Sequence, residues 1–427
     1  MTIVSIPYGN HILRLEIPDD NFLMVALPKE VPGVSDPTLV VERVLQKPIN
    51  TPPLQELAQG KRRVAIVVDD ATRPLPSYVI LPPILRKLHE AGIHREDITI
   101  IFATGLHRPV TEDEAVQLLG ENIAKNYRWV SHDADSDDLV YVGKTTRGTP
   151  IYINRLYMEA DLKILIGDIM LHYYAGFGGG GKSILPGIAG RETIIRNHSM
   201  LFHPDAKPGI CWGNPVCEDI MEAAEIVGAD FVVNVVLNSR REIVKVYAGK
   251  LKDVFLAGIE FARRMYVVDV PQRADITIVS PGGHPFDINL YQSHKALFFA
   301  EQATKIGGSI ILLATCPEGA GNKLFEEWMR KTKNMPAEEA MRIIREKLNE
   351  NFVLGPHKAY YIIRATSQYR IFIKTEMDPR EISEIYRMQP IEDPQQTLNM
   401  LLTEQPDAKI LVLPYGNETL PMLRKKA

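Results

Sequence analysis

The sequence predicts an α/β protein made of two α/β domains. Short, continuously apolar runs rich in β-branched residues alternate with longer amphipathic stretches, as strands alternate with helices in an α/β fold. The chain has 427 residues, more than one ordinary domain holds. Polar and reactive side chains follow most of the apolar runs, and ligands bind beyond the carboxyl ends of strands in such sheets.

Three apolar runs in the first half predict buried parallel strands at 64–68, 98–102 and 162–166. The first run is followed by an amphipathic stretch that predicts a helix over 77–91, ended by Gly92. A second helix is predicted after Thr111, because the sequence Thr-Glu-Asp-Glu at its start is typical of a capping box. Strand–helix alternation therefore accounts for this half of the chain.

A domain boundary is predicted near Pro271. A long helical stretch over 251–266 precedes it, and a new series of strands begins at 276–279 and 310–314. The predicted domains are therefore residues 1–270 and 271–427.

Composition and charge exclude several classes of protein. With 45% hydrophobic and 24% charged residues, the chain is neither disordered nor collagen-like. Its 49 basic and 53 acidic residues give a net charge of −4, which argues against nucleic acid as a partner. No apolar run reaches about 18 residues, and Glu16, Asp19 and Asp20 stand where a secretory signal would be apolar. We therefore expect a cytoplasmic protein without a membrane partner.

The three cysteines, Cys211, Cys217 and Cys316, are too few for a disulfide framework, and none has CxxC spacing. This pattern favours a reducing compartment. No His-Glu-x-x-His motif or other ordinary zinc spacing is present, so a metal site built from protein ligands alone is not expected.

A glycine-rich loop, 176–183, matches the P-loop pattern G-x-x-x-x-G-K-[ST] and allows an ATP-dependent enzyme as one interpretation. Two features oppose it: nine residues separate the preceding strand run from Gly176, and Pro186-Gly187 would interrupt the helix that a P-loop requires. A flexible surface turn is a second interpretation. The third, which we favour, is that the glycines allow close approach to a cofactor while the loop presents Lys182.

Five composite motifs occur in one order along the chain. They are Asp70-Ala71-Thr72-Arg73-Pro74, Ala103-Thr104-Gly105-Leu106-His107-Arg108-Pro109, His172-Tyr173-Tyr174-Ala175 with the glycine-rich loop to Ser183, Asn197-His198-Ser199 and Tyr291-Gln292-Ser293-His294-Lys295. In these motifs the sequence resembles the nickel-dependent lactate racemase family over most of its length. It departs from the family pattern at Gly178, where a serine is expected.

The resemblance implies a two-domain α/β enzyme whose active site lies between the domains, with a nickel-pincer nucleotide as cofactor. This pyridinium mononucleotide holds nickel through two sulfurs and a ring carbon. In the family, the loop lysine anchors the cofactor, in some members covalently, and the Asn-His-Ser histidine ligates nickel; here these are Lys182 and His198. Imidazole suits square-planar nickel. The remaining predicted cofactor contacts are Asp70, Ala71, Thr72 and Arg73.

The resemblance also implies racemisation or epimerisation at C2 of a 2-hydroxy acid, lactate or a related compound. In the family the C2 hydrogen moves reversibly as hydride to the cofactor while a histidine takes the hydroxyl proton. His107 and His172 would be the acid/base pair, one for each enantiomer, and the ordinary histidine pKa of about 6.5 suits both directions. The predicted substrate-binding residues are Arg73, Tyr291, Gln292 and Lys295.

Enzymes of cofactor biosynthesis are the implied partners, because they must load the chain. Two structural alternatives stay open: Arg73 could pair with Asp69 or Asp70, and Lys295 could be a solvated helix residue. A non-catalytic relative that only binds the nickel nucleotide is a third function class, beside the racemase and the ATP-dependent enzyme. The trio His107, His172 and His198 separates them, because an ATPase needs none of the three and a binding protein needs only His198.

Overall fold

The computed structural model describes residues 1–73, 75–350 and 352–424. Pro74, part of the first family motif, lies outside the described residues. The chain forms two compact units, which we name by their place in the sequence. The central unit is Glu30–Met265, and the terminal unit combines Met1–Lys29 with Tyr266–Ala427.

The strands are numbered in chain order. They are β1 (Thr2–Tyr8), β2 (His11–Ile17), β3 (Phe22–Val25), β4 (Val64–Asp69), β5 (Ile98–Ala103), β6 (Arg128–Ser131), β7 (Leu139–Lys144), β8 (Pro150–Asn154), β9 (Leu162–Asp168), β10 (Leu171–His172), β11 (Gly176–Phe177), β12 (Phe231–Leu237), β13 (Ile243–Gly249), β14 (Val267–Val270), β15 (Ala274–Val279), β16 (Thr304–Leu313), β17 (Arg370–Lys374), β18 (Gln389–Pro390), β19 (Ile410–Leu413) and β20 (Leu420–Leu423).

The α-helices are numbered in the same way. They are α1 (Pro37–Gln46), α2 (Leu54–Leu57), α3 (Ser77–Glu90), α4 (Glu112–Leu119), α5 (Glu121–Asn126), α6 (Arg155–Met158), α7 (Arg191–His198), α8 (Pro215–Val227), α9 (Leu251–Tyr266), α10 (Leu290–Ala300), α11 (Lys323–Thr332), α12 (Ala337–Glu350), α13 (Pro356–Gln368), α14 (Pro379–Glu384) and α15 (Pro394–Glu404).

The central unit is built on a six-stranded sheet in the order β13-β12-β9-β4-β5-β6. Neighbouring strands are parallel except at the edge, where β13 runs antiparallel to β12. Ile66 of β4 lies opposite Ile100 and Ile164, and all three are buried in one apolar cluster. Because the middle strands are buried, they read as continuous apolar runs. The strands predicted at 64–68, 98–102 and 162–166 are thereby confirmed.

The predicted helices of the central unit are confirmed with small shifts at their ends. The helix expected over 77–91 is α3, followed by Gly92 at φ +89. The capping box of α4 is formed in full: the Thr111 side chain accepts from the Glu114 backbone, and the Glu114 side chain accepts from the Thr111 backbone. The glycine after α3 and the capping box of α4 both help to satisfy backbone hydrogen bonding groups that a helix end leaves without a partner.

The terminal unit has a second six-stranded sheet, all parallel, in the order β18-β17-β16-β15-β19-β3. Ile278 of β15 lies opposite Ile311 and Val412, and these side chains form the core of the unit. The strand runs predicted at 276–279 and 310–314 fall in β15 and β16.

The first 29 residues belong to the terminal unit, whereas the sequence predicts them in an N-terminal domain of residues 1–270. Strand β3 adds to the sheet edge beside β19, and the β1–β2 hairpin buries Ile6 and Ile17 in the core of this unit. The amide of Gly9 in the hairpin turn also donates to Asp287 Oδ2 at 2.7 Å. A local sequence pattern cannot show which distant strand an edge strand joins.

Each large sheet has a point where successive strands are added on opposite sides. In the central unit β5 lies on one side of β4 and β9 on the other, and in the terminal unit β16 and β19 flank β15 in the same way. The loops that leave such neighbouring strands diverge, which opens a crevice at their carboxyl ends. These two places are therefore where each unit can bind a ligand.

Cys211 and Cys217 form a disulfide with Cα atoms 5.1 Å apart, and Cys316 is a buried free thiol. The cysteine spacing does not predict this bridge, because it is a single short-range link across the start of α8 rather than a framework. Within the described ranges, the helices are all too short or too polar to span a membrane.

Candidate active site

The carboxyl end of β4 leads into a buried carboxylate that holds a histidine. Asp70, only 4% exposed, accepts at Oδ2 from His107 Nδ1 at 2.6 Å and at Oδ1 from the hydroxyl (2.6 Å) and amide (3.0 Å) of Thr72. Burial opposes ionisation, yet the hydrogen bond and charge of His107 hold the pKa of Asp70 below its ordinary value. A carboxylate on Nδ1 places the hydrogen there and leaves Nε2 as the basic nitrogen.

Arg73 follows Thr72 directly and joins this hydrogen bond network. Its Nη1 donates to the carbonyl oxygen of Thr72 at 3.3 Å and to the Thr72 hydroxyl at 3.2 Å. Its charge also favours the ionised form of Asp70 and of Asp168. The guanidinium thus acts on both strand ends, β4 and β9.

The glycine-rich loop is a buried, hydrogen-bonded turn. Its first residues form β11 beside β10, and residues Gly180–Ser183 form a single 3-10 turn. Gly180 has φ +57, and a Cβ there would lie 2.6 Å from the ring of Phe255. Its amide donates to Asn234 Oδ1 at 3.0 Å. The flexible-turn interpretation is therefore wrong.

The P-loop interpretation also lacks its required context. A P-loop places its Lys-Ser pair at the start of an α-helix whose amides bind phosphate. Here the 3-10 turn ends at Ser183, and the next α-helix begins only at Arg191.

Lys182 lies in this turn with its amine largely withdrawn from solvent. Burial, and then the charge of Arg73, lower its pKa to about 7, although Asp168 and Asp69 act in the opposite direction. A substantial fraction of the amine is therefore uncharged near neutral pH. An uncharged lysine amine is a nucleophile, whereas an ordinary exposed ammonium is not.

Two further carboxyl groups, Asp69 and Asp168, end the adjacent strands β4 and β9. Burial raises the pKa of both, and the charge of Asp168 raises that of Asp69 further. Since two carboxylates this close do not both ionise readily, the pair retains a proton near neutrality. Neither was among the site residues predicted from sequence, although each stands directly at a strand end.

An aromatic array joins two of the predicted histidines. The ring of Tyr174 lies edge-on to His172 at 4.5 Å and to His198 at 5.6 Å, measured between ring centroids. His172 Nδ1 accepts from the amide of Ala175 at 3.2 Å, which assigns its hydrogen to Nε2. The ring of Tyr173 stacks on His172 at 5.1 Å. Both rings are therefore held in fixed orientations.

His198 is the last residue of α7 and is only 7% exposed. Burial, followed by the charges of Lys182 and His107, lowers its pKa to about 3. The imidazole is therefore neutral across the physiological range, which is the form that binds metal ions. Among the described residues, groups of three or more His, Cys, Asp or Glu placed to hold a metal ion are absent.

In the terminal unit, α10 begins beyond the carboxyl end of β15 and carries the other predicted site residues. Asn289 caps the helix by accepting from the amide of Gln292. Tyr291, Gln292 and Lys295 form its partly exposed face, whereas Ser293 and His294 are buried.

Lys358, which the sequence analysis missed, lies against this helix. It is 3% exposed, donates from Nζ to the carbonyl oxygen of Tyr291 at 2.6 Å, and lies 3.5 Å from the centre of the Tyr291 ring. Burial and the charge of Lys295 lower its pKa well below the ordinary lysine value. Its place in the first turn of α13 could not be related to α10 from sequence.

Two family models match the chain in order: the lactate racemase N-terminal domain over residues 8–209 and the lactate racemase C-terminal domain over residues 270–420. The chain belongs to the lactate racemase family. It is accordingly an isomerase. The first match contains Asp70, His107, His172, Lys182 and His198, and the second contains α10.

Curated relatives support this assignment. The chain is 34% identical over 423 residues to the lactate racemase of Thermoanaerobacterium thermosaccharolyticum, covering 97% of this chain and 98% of the relative. It is 36% identical over 330 residues to the lactate racemase of Lactiplantibacillus plantarum, covering 76% and 77% of the two chains.

Solved structures give the same result for the fold. The lactate racemase apoprotein from T. thermosaccharolyticum matches with a TM-score of 0.90 and 32% identity, covering 98% of this chain and all of that one. A Thermotoga maritima protein matches with a TM-score of 0.68 at 19% identity, covering 92% of this chain, and shows the fold alone.

Proposed function

We propose that this enzyme inverts C2 of lactate or a related 2-hydroxy acid with a nickel-pincer nucleotide as cofactor. The observation that carries the proposal is the electrostatic state of three side chains around the ends of β4, β5 and β9. His107 is oriented by a carboxylate, Lys182 has an amine of lowered pKa, and His198 is a buried neutral imidazole.

The donor set fits the cofactor. A neutral His198 supplies the imidazole lone pair that nickel binds, and Lys182 supplies an amine able to anchor the nucleotide. Asp70, Ala71, Thr72 and Arg73 would contact the cofactor from the end of β4, where Arg73 provides a cationic partner for its phosphate. When bound, the group supplies a reversible acceptor for the C2 hydrogen as hydride.

His107 and His172 move the hydroxyl proton. His107 accepts it at Nε2, and the charge of Asp70 stabilises the imidazolium that results. His172 serves as the base for the opposite enantiomer. Its ring hydrogen is on Nε2 while Nδ1 accepts from the Ala175 amide, so Nδ1 must give up that hydrogen bond and take the ring hydrogen before Nε2 accepts the hydroxyl proton.

The substrate carboxylate is bound by cationic and amide side chains. Lys295 and Arg73 provide positive charge, and Gln292 and Tyr291 provide hydrogen bond donors. Lys358 holds Tyr291 in place by donating a hydrogen bond to the backbone carbonyl oxygen of Tyr291.

The test is C2 inversion by protein produced with the cofactor-biosynthesis enzymes, measured on single enantiomers of lactate, malate, 2-hydroxyglutarate and phenyllactate. C2-deuterated substrate should yield the opposite enantiomer with its deuterium retained, because hydride returns to the same carbon. The preparation should contain nickel, and His198→Ala should lose it. Inversion by a nickel-free preparation, or complete exchange of C2 deuterium with solvent, would contradict the proposal.

A further inference from the structure

A buried carboxylate, Asp219 of α8, lies outside the residues assigned so far. It is 0% exposed, and in the described part of the chain its hydrogen bond donors are uncharged side chains. Thr145 Oγ1 donates to Oδ1 at 2.6 Å, and Thr149 Oγ1 and Asn197 Nδ2 each donate to Oδ2 at 2.9 Å. A carboxylate kept from water is retained only where its hydrogen bonds compensate.

Asn197 connects this carboxylate to the site. Its side chain is fully buried, and Nδ2 also donates to the carbonyl oxygen of Val216 at 3.2 Å. Both acceptors belong to α8, so the amide ties the last turn of α7 to that helix. The next residue, His198, is the proposed nickel ligand, and its ring direction depends on where that last turn lies.

We infer that Asp219 is a positioning residue that orients His198 toward nickel by holding Asn197. The inference rests on the proposed function. Outer-shell groups that fix the orientation of a metal-binding histidine typically change metal affinity by about 10–100-fold when they are removed. Asp219 would do this through the neighbouring residue rather than through the imidazole itself.

The structure offers a matched control on the same helix. Glu222, three residues after Asp219, accepts from the amide and the hydroxyl of Thr146 at 2.7 Å each. It therefore ties α8 to the same turn between β7 and β8 as Asp219 does, but its hydrogen bonds do not involve Asn197. Thr149→Val is a second control, since it removes one hydrogen bond to Asp219 and leaves the bond from Asn197.

The experiment measures nickel release from the cofactor-loaded protein into an excess of chelator, with the melting temperature recorded for each variant. Asp219→Ala and Asn197→Ala should each release nickel about 10–100-fold faster than the parent. The double variant should release it no faster than the more severe single variant, because both remove one interaction. Asp219→Asn should stay near the parent rate, because its amide oxygen can still accept from Asn197.

The controls decide between positioning and general stability. Glu222→Gln and Thr149→Val should keep the parent release rate even where their melting temperatures fall. Parent-like release in Asn197→Ala would overturn the inference, and so would equally fast release in Glu222→Gln. Asn197→Ala keeps the question answerable if Asp219→Ala does not fold. A loaded parent without nickel would instead refute the proposed function, which distinguishes the two failures.

Discussion

The central and terminal units build their sheets alike but equip the carboxyl edges differently. In both, the chain adds later strands on the two opposite sides of one inner strand, which is β4 in the central unit and β15 in the terminal unit. At the end of β4 lie carboxylates, cationic groups and a histidine, and the carboxylate of Asp70 accepts a hydrogen bond from His107. Beyond β15, the first turns of α10 carry Tyr291 and Lys295, with the amine of Lys358 beneath them.

Topology therefore determines where a site lies in each unit, whereas the charge pattern determines what the site does. Opposite charges in the central unit place individual protons on defined atoms, which acid/base chemistry requires. In the terminal unit, Lys295 lies in the first turns of α10, where the helix dipole adds positive potential, which suits recognition of an anion. The following variants test that division of roles, beginning with the largest expected effect.

Asp70→Asn removes the carboxylate that orients His107. We expect kcat, expressed per bound nickel, to fall by about 10²–10⁴-fold, the usual contribution of a positioned acid or base, with KM little changed. Asp161→Asn is the control, because Asp161 lies just before β9 and its carboxylate accepts from the amides of Arg62 and Arg63 and pairs with the Arg63 side chain. Full turnover per nickel in Asp70→Asn would show that proton transfer does not take place at this end of the sheet.

Lys295→Met removes a cation from α10 of the terminal unit. A hydrogen bond to a charged group contributes about 1.5–3 kcal/mol, so kcat/KM should fall by about 10–100-fold, mainly through KM. Nickel content should stay at the parent level. Lys323→Met, at an exposed position on α11, provides the control. Loss of nickel from Lys295→Met would show that the terminal unit also retains cofactor. The two units would then not divide the roles of proton transfer and anion recognition.

The pH dependence of Lys182 acylation is the smallest of these expected effects, and it tests the electrostatics of the central unit. Because its pKa is lowered to about 7, the uncharged fraction rises as pH increases through that value. Acylation of Lys182 in cofactor-free protein should rise about tenfold from pH 6 to 8 and then level off, as followed by peptide mass spectrometry. Exposed lysines should rise about 100-fold over that interval, because their pKa is about 10.4. A Lys182 profile parallel to theirs would disprove the lowered pKa.

The sequence predicts five strands of the two large sheets, β4, β5, β9, β15 and β16, because buried parallel strands are continuously apolar. The same runs locate Asp70 and His107, since each stands just beyond a strand, whereas the glycine-rich loop locates Lys182. The pairing of β3 with β19 could not be predicted, because β3 has four residues, all of them half-buried, and no alternation that distinguishes its faces.

Residues that act through burial were also beyond the sequence. Asp69 and Asp168 are far apart in the chain and become neighbours only where β4 and β9 pair. Asp219 is a charged residue on an otherwise apolar face of α8, and its importance depends on Asn197 and two threonines from a distant hairpin. The pKa of Lys182 depends likewise on how completely the folded loop excludes water.

The edge strand β3 also affects how the protein is made. Its partner, β19, is encoded nearly at the other end of the chain, with Val25 lying opposite Val412. At a translation rate of about 5–20 residues per second, β3 waits roughly 20–80 s on the ribosome before β19 exists. The central unit can complete its sheet during that interval, so the apolar β1–β2 hairpin and β3 are the segments that a nascent-chain chaperone would need to shield.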